Sequence, residues 1–337
     1  MATMTIFKLT TWNVENLFRP PAGATREERR AYREKLAFLA ETLDALSPDV
    51  VAVQEVGSPE ALHDLQKELG TAFPHCRVGT QDGRGISVGF LSKLAFREEQ
   101  DITLFPPSVA ALRVSDANGR HYTSMGRGAL RVRVKKGSFT TDLLNVHLKS
   151  KLLSFPLPNG ETAFSTGDED LRASVAAVAL LRRTAEATTV RLAANEIVVG
   201  NPVQALAVLG DFNDGPNAAT TQIVQGPGGS EVDTAGFDRP DERDDSRLWN
   251  LAPCIPSERR FSRIHHGQGE LLDQIFVSEE YLPRLPETQK RQRPLQVDAL
   301  IETIRSIGDN PKSRTGEVQP DHAPVSASFR LLRKDVR

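Results

Sequence analysis

Short apolar runs alternate along the chain with amphipathic stretches, and most of those runs end in a carboxylate, an amide or a histidine. Ile6 to Trp12 alternates apolar and polar positions as a short strand does, then runs into Asn13-Val14-Glu15-Asn16, which reads as a second strand ending in side-chain oxygens. Thr25 followed by Glu28 is a capping box, and Leu36, Leu39, Leu43 and Leu46 recur at helical spacing until Ser47-Pro48. Val50 to Val53 is wholly apolar and predicts a buried strand that delivers Gln54-Glu55. Ser58-Pro59 then opens a helix that Gly70 closes. Ile86 to Leu91 and the alternating Leu130 to Val134 predict two more strands, whereas the polar, Pro-containing stretch to about Arg120 carries no readable pattern.

In the second half, Thr141 to Leu148 predicts a strand placing His147 and Lys149 on one face, with Lys151 beyond them. Thr166 and Glu169 predict another capping box, opening an Ala-rich helix from about Gly167 to Thr189. Gln204 to Leu209 predicts a buried strand, and Gly210 lets the chain turn so that Asp211 and Asn213 project from its rim. Glu270 to Val277 predicts a strand with Asp273 in its middle. Val325, Ala327 and Phe329 predict a terminal strand of period two, entered through Asp321-His322-Ala323-Pro324.

With 337 residues, 39% of them hydrophobic and 26% charged, the chain reads as a soluble globular protein. The absence of a repeat or linker predicts one domain over 1–337. A net charge of −2 provides no global field for a polyanion, so any such site must be local. Cys76 and Cys254 lack metal-ligand spacing and are too few for a disulfide scaffold. With no basic leader and no run near the roughly 18 apolar residues of a membrane span, they predict a cytoplasmic protein, monomeric by default.

Collected, the strand ends offer Asn13, Glu55, His147, Asp211, Asn213, Asp273, Asp321 and His322, with no serine elbow, P-loop or Gly-x-Gly-x-x-Gly among them. Carboxylate and amide oxygens of this kind suit a hard cation, Mg²⁺ or Mn²⁺, and the tight His or Cys spacing of catalytic zinc is missing. Singly, each residue has a bland reading: Asn13 as a turn residue, Glu55 as a helix-entry carboxylate, His147 as a satisfied strand histidine.

Taken in order, Thr11-Trp12-Asn13, Gln54-Glu55, Asn145-Val146-His147-Leu148, Gly210-Asp211-Phe212-Asn213, Leu272-Asp273-Gln274-Ile275 and Asp321-His322-Ala323-Pro324 resemble the endonuclease/exonuclease/phosphatase superfamily, the group of DNase I and exonuclease III-type enzymes. The resemblance spans nearly the whole chain. It implies a four-layer α/β/β/α sandwich of two mixed, mainly antiparallel sheets, with the site where strand ends meet. It also implies that Glu55 is the principal metal ligand with Asn13 and Asp321 supporting it, and that Asp211 orients or deprotonates the attacking water with Asn213 beside it. His322, oriented by Asp273, and His147 would contact the scissile phosphate. Gln274 departs from the His or Tyr frequent at its position. Tyr122 and Phe212 are both candidates for the aromatic that the family's nucleases present near the phosphate.

Arg127 and Lys149 are further phosphate candidates, against the plainer reading of solvated basic residues. His265-His266 looks like a metal pair, but adjacent strand residues face opposite ways. The expected activity is therefore divalent-metal-dependent phosphodiester hydrolysis, with DNA or RNA as substrate and partner. The alternatives are a phosphatase or phospholipase-type enzyme on inositol phosphates or sphingolipids, and a silent binding module. Specificity is expected in the loops Pro106 to Met125, Ser154 to Thr166 and Arg284 to Arg314; the last holds seven Lys or Arg against four Asp or Glu.

Overall fold

The computed structural model describes residues 5–110, 113–115, 119–157, 159, 161–199, 204–239, 245–283, 290–293, 296–299 and 318–331. The first strand, β1 (Thr5–Leu17), is continuous through Asn13, so the two short strands expected there are one. Helix α1 (Arg26–Leu46) begins at the Thr25–Glu28 capping box and ends at Ser47, whose left-handed backbone stops it. Strand β2 (Val50–Val56) leads through Ser58 into α2 (Pro59–Glu68), and β3 (His75–Val78), β4 (Ser87–Ser92) and β5 (Glu99–Leu104) follow. After the short α3 (Pro107–Ala110), β6 (Ser124–Lys136) and β7 (Phe139–His147) form a long hairpin. A small hairpin, β8 (Phe155–Pro156) with β9 (Thr162–Ala163), precedes α4 (Glu169–Val198).

Asp168, not Thr166, caps α4; the Thr166 hydroxyl instead accepts from the Asp168 backbone, so the expected box is displaced by two residues. The chain continues through β10 (Ala205–Asp211), α5 (Ala219–Gln225) and β11 (Trp249–Asn250) to the hairpin β12 (Arg263–His265) and β13 (Gln268–Glu270). Next come β14 (Asp273–Val277), β15 (Gln296–Ala299) and β16 (Val325–Leu331). Asp273 opens β14 rather than sitting in mid-strand, because Glu270 belongs to the preceding hairpin.

Two six-stranded sheets result, ordered β15-β16-β1-β2-β4-β3 and β11-β14-β10-β7-β6-β5. Each contains one parallel pair, β1 with β2 and β10 with β7, and is otherwise antiparallel. The alternation of a strand separates two cores. Along β10, Ala205, Ala207 and Leu209 join the core that includes Leu9 and Val53 of the other sheet, while Leu206 and Val208 join the core under α4 with Ala187 and Val190. Leu39, Leu43, Leu62 and Leu65 of α1 and α2 cover the outer face of the first sheet. This is the expected helix-sheet-sheet-helix layering. Among the described residues, no helix is long and apolar enough to cross a membrane. Of the basic stretch Arg284 to Arg314, only 290–293 and 296–299 lie within the described residues; there Lys290, Arg291 and Arg293 pair with Asp238, Glu279 and Asp233.

Candidate active site at the sheet mouth

The parity that points Leu209 between the sheets does the same for Asp211, two residues on. Register sets its neighbours: Asp211 lies opposite His147 on one side and Asp273 on the other. Gly210 makes this approach possible, with φ 149°; a Cβ there would sit 1.9 Å from the Val146 carbonyl oxygen. Ligand atoms of Asp211, Asp273 and His322 all fall within 4.8 Å of one another. Asn213, left-handed at φ 52°, returns its backbone N–H to Asp211 Oδ1 at 2.8 Å and donates its side-chain amide to Leu148 O at 3.0 Å.

The first sheet supplies the facing half. Between Val53 and Val56 the β2–β4 register shifts, and Glu55, at φ 63°, turns its carboxylate to the cleft. Glu15 and Asn16 are also left-handed, at φ 46° and 52°. That turn lets the Asn16 N–H donate to Glu55 Oε2 at 2.9 Å. The Asn13 amide joins the two sheets by donating to Glu55 Oε1 at 3.2 Å and Asp211 Oδ2 at 3.0 Å, while its oxygen accepts the Glu15 N–H at 3.0 Å. Four non-glycine residues with positive φ at one cleft are costly, of the order of 1–3 kcal/mol each, and mark a place where geometry outranks stability.

The third contribution comes from the segment before β16. The Trp12 indole donates to the His322 carbonyl at 2.8 Å, and His322 Nδ1 lies 2.6 Å from Asp273 Oδ2. Asp321 donates its N–H to Glu15 Oε2 at 3.1 Å; its own carboxylate pairs with Arg263 at 2.9 Å and stands 3.8 Å from His322 Nε2. His147 Nε2 is 3.4 Å from Asp211 Oδ2 and 4.0 Å from Glu55 Oε1. His147 Nδ1 and Asp273 Oδ1 are buried without a hydrogen-bond partner in the protein, which is uncommon for buried polar atoms and points to partners from outside the chain.

Burial and charge set different protonation states for the two histidines. Burial would lower His322, but the Asp273, Asp321 and Asp211 carboxylates outweigh it and raise the imidazole to about 10. His147 is pushed well below its usual value by burial and by the nearby Arg127 and His322 charges, so it is neutral. Asp211 is raised to about 6, first by burial and then by Asp273, with His322 pulling the other way.

Some expected residues sit differently. Lys149 lies beyond the end of β7, and its ammonium donates to the Ser150 and Leu152 carbonyls, so it does not share a strand face with His147. Arg127 is buried rather than solvated, held by the Leu148 carbonyl at 3.1 Å and Asp82 at 3.5 Å. Phe212 is fully buried against Phe276, and Tyr122 lies under the Arg182 guanidinium. The His265 and His266 rings meet edge to face with centroids 4.1 Å apart, His266 standing in the turn at φ 49°, and they form no larger metal-ligating group among the described residues. Gln274 donates to the Asp214 carbonyl and accepts from Asn250.

Three residues that support this cluster have no individual role in the sequence reading, although Gln54 and Asn145 stand inside two of its motifs. Asn145, fully buried, accepts from Gln54 at 2.7 Å and donates to the Val53 and Gly89 carbonyls at 3.0 and 2.7 Å, fastening one sheet to the other. Their signal was two amides inside otherwise apolar strands. Glu186 of α4 accepts the Gly126 and Lys149 N–H groups at 3.0 and 2.6 Å, an arrangement with no local sequence signature.

Two mixed sheets sharing a polar mouth define the DNase I-like class of fold. The chain belongs to the Endonuclease/Exonuclease/phosphatase family, whose profile matches residues 10–292 and so takes in every site residue except Asp321 and His322. Among solved structures it resembles truncated Caenorhabditis elegans TDP2, with 16% identity, TM-score 0.53, and 97% and 98% of the two chains covered. D. rerio TDP2 complexed with single-strand DNA product shares 16% identity at TM-score 0.52, covering 97% and 100%. An endonuclease/exonuclease/phosphatase family protein from Leptotrichia buccalis C-1013-b shares 14% at TM-score 0.53, covering 96% and 100%. No curated protein matches the chain.

Proposed function

We infer that this chain, read as one domain, is a divalent-metal-dependent phosphodiester hydrolase acting on DNA or RNA. The observation that carries the reading is the meeting of Glu55, Asp211 and the Asp273–His322 pair at one cleft, joined through the Asn13 amide. Glu55 and Asp321 keep side-chain exposures of 20% and 18%, so both are reachable from solvent while anchored by backbone contacts. The ion is assigned to these two carboxylates, a type of oxygen donor suited to Mg²⁺ or Mn²⁺, with Asn13 supporting Glu55 through its amide N–H. When bound, the ion neutralises charge on the phosphoryl oxygens and on the leaving oxygen.

The chain's own groups account for the remainder. Asp211 Oδ1 is fixed by the Asn213 N–H and Oδ2 by the Asn13 amide, so the carboxylate is held in place to orient the attacking water and take its proton through a remaining lone pair; burial raises its basicity for that task. His322, an imidazolium at neutral pH, donates from Nε2 to a phosphate oxygen while Asp273 holds Nδ1. His147 is the second phosphate contact, and Arg127 adds positive charge behind it. A TDP2 relative of the same fold is seen with a single-strand DNA product, which supports nucleic acid over an inositol phosphate or sphingolipid. Both cysteines are free thiols, in keeping with a cytoplasmic location.

The test is a substrate panel in Mg²⁺ or Mn²⁺: single- and double-stranded DNA, abasic DNA, RNA, a chromogenic phosphodiester and inositol phosphates, each with wild type and Asp211→Asn. Turnover of a nucleic acid that vanishes in the variant supports the reading. Turnover confined to inositol phosphates overturns the nucleic-acid assignment, and turnover of nothing overturns the enzyme.

A further inference from the structure

Phe18 leaves β1 just past the strained Glu15-Asn16 turn and is 42% exposed. One edge of its ring is nonetheless packed on the backbone. A Cβ on Gly57 would come within 2.4 Å of Cδ1 and 2.8 Å of the Leu17 carbonyl oxygen, and Cε1 passes 3.9 Å from where a Cβ on Gly85 would stand. The backbone on both sides is tied as well, Phe18 N–H to Asn16 O at 2.8 Å and Gly57 N–H to Leu17 O at 2.9 Å. Gly57 stands two residues from Glu55, and Asn16 is the residue whose N–H holds Glu55, so the ring is within about two residues' span of the carboxylate on either route.

The ring lines a groove of about 330 Å³ with Asn16, Arg19, Pro20, Pro21, Glu28 and Tyr32. That size is at the lower end of the roughly 300–1,000 Å³ of small-molecule sites. Arg84, next to Gly85 in the β3–β4 loop, is exposed, and its charge reaches the His147 imidazole. Its guanidinium makes no hydrogen bond or ion pair with the described residues. Arg19, paired with Asp64 at 3.0 Å, and Lys35 share the groove with the Glu28 carboxylate and are close to balanced by the two acids, so the positive charge without a partner among the described residues is that of Arg84. What suits a half-exposed aromatic ring packed on Gly57 and neighboured by Arg84 is a planar π system attached to a phosphate.

We propose that Phe18, backed by Gly57 and Gly85, is the stacking platform for a nucleobase adjoining the scissile phosphate, with Arg84 on the neighbouring phosphate. A base must leave its duplex to stack there, so the substrate class is single-stranded or locally unpaired nucleic acid. This rests on the nucleic-acid reading above, and the test separates the two. In an Asp211→Asn background, fluorescence anisotropy measures binding of a short single-stranded oligonucleotide, either fully based or carrying one baseless tetrahydrofuran nucleotide stepped along the strand. At one position the baseless oligonucleotide binds roughly 5- to 150-fold more weakly, the range for a base stacked on an aromatic side chain. Phe18→Ala erases that gap by loosening only the based strand, and Phe18→Tyr retains it. Arg84→Gln loosens both strands alike and lowers the salt slope by about 1. Equal loosening of both strands by Phe18→Ala, or a gap that survives it, overturns the platform while wild-type cleavage of the same strand leaves the nuclease reading standing. Failure of the wild type to cleave any nucleic acid, together with no binding, overturns both.

Discussion

Asn145 offers the sharpest test of how the two halves of the cleft are held in register. It is fully buried and makes three hydrogen bonds across the sandwich, one to Gln54 and two to the Val53 and Gly89 carbonyls. Asn145→Ala removes all three. Gln54 keeps Thr11 as a partner at 3.1 Å, so the main loss falls on the two carbonyls. At about 1 kcal/mol net per bond, the variant should lose roughly 3 kcal/mol, which for a domain of this order corresponds to a melting point lower by about 6–12 °C. Asn145→Asp should be worse still at neutral pH, because it sets a buried carboxylate against two acceptors with no donor left for either. Urea unfolding of wild type and both variants reads this directly. A loss below about 1 kcal/mol for Asn145→Ala, or Asp better tolerated than Ala, would refute the assignment of these bonds as the inter-sheet fastening.

Chelation by EDTA should abolish turnover and Mg²⁺ or Mn²⁺ should restore it, while Glu55→Gln should raise the metal concentration for half activity; full activity in metal-free enzyme contradicts this. Asp211→Asn should lower kcat by about 10²–10⁴-fold with an unchanged circular dichroism spectrum, and Asp273→Asn, which acts only through His322, should lower it less. Steady-state kinetics ranks the two. Because His322 is raised from 6.5 to about 10, its charge stabilises the fold fully below pH 6.5, and that contribution disappears as pH rises through about 10. The stability gap between wild type and Asp273→Asn should therefore be widest in mild acid and close by pH 10. A gap that widens over the same interval would show that His322 is not the charged partner.

Strand ends carried most of what could be read without coordinates. Where Gln204–Leu209 met Asp211, alternation also fixed which way the carboxylate would face, whereas after Val50–Val53 a register shift and the left-handed Glu55 re-aim the carboxylate in a way alternation does not foretell. The edge strands β3 and β5 were invisible because His75–Val78 and Glu99–Leu104 are half-exposed and too polar to show a period. Helix α4 runs past Thr189 to Val198, since packing on β10 overrides the weak helix preference of its Thr and Val residues. Lys149 looked like a neighbour of His147 only because spacing cannot tell where a strand stops. Asn145 and Gln54 are 91 residues apart, and nothing local to either announces the other.

The bond from Trp12 to the His322 carbonyl spans 310 residues of chain, and the final strand pairs with the first. Asn13, Glu55 and Asp211 on β1, β2 and β10 are thus made long before His322, whose imidazolium joins them in the folded cleft. At the usual pace of about 5–20 residues per second, roughly 15–60 s of synthesis separates the two ends of that bond. Until β16 docks, Asp273 has no histidine and Glu15 no Asp321 N–H to accept. The cleft is therefore whole only once β16 has docked on β1, which makes the site a late product of folding rather than a feature of either sheet alone.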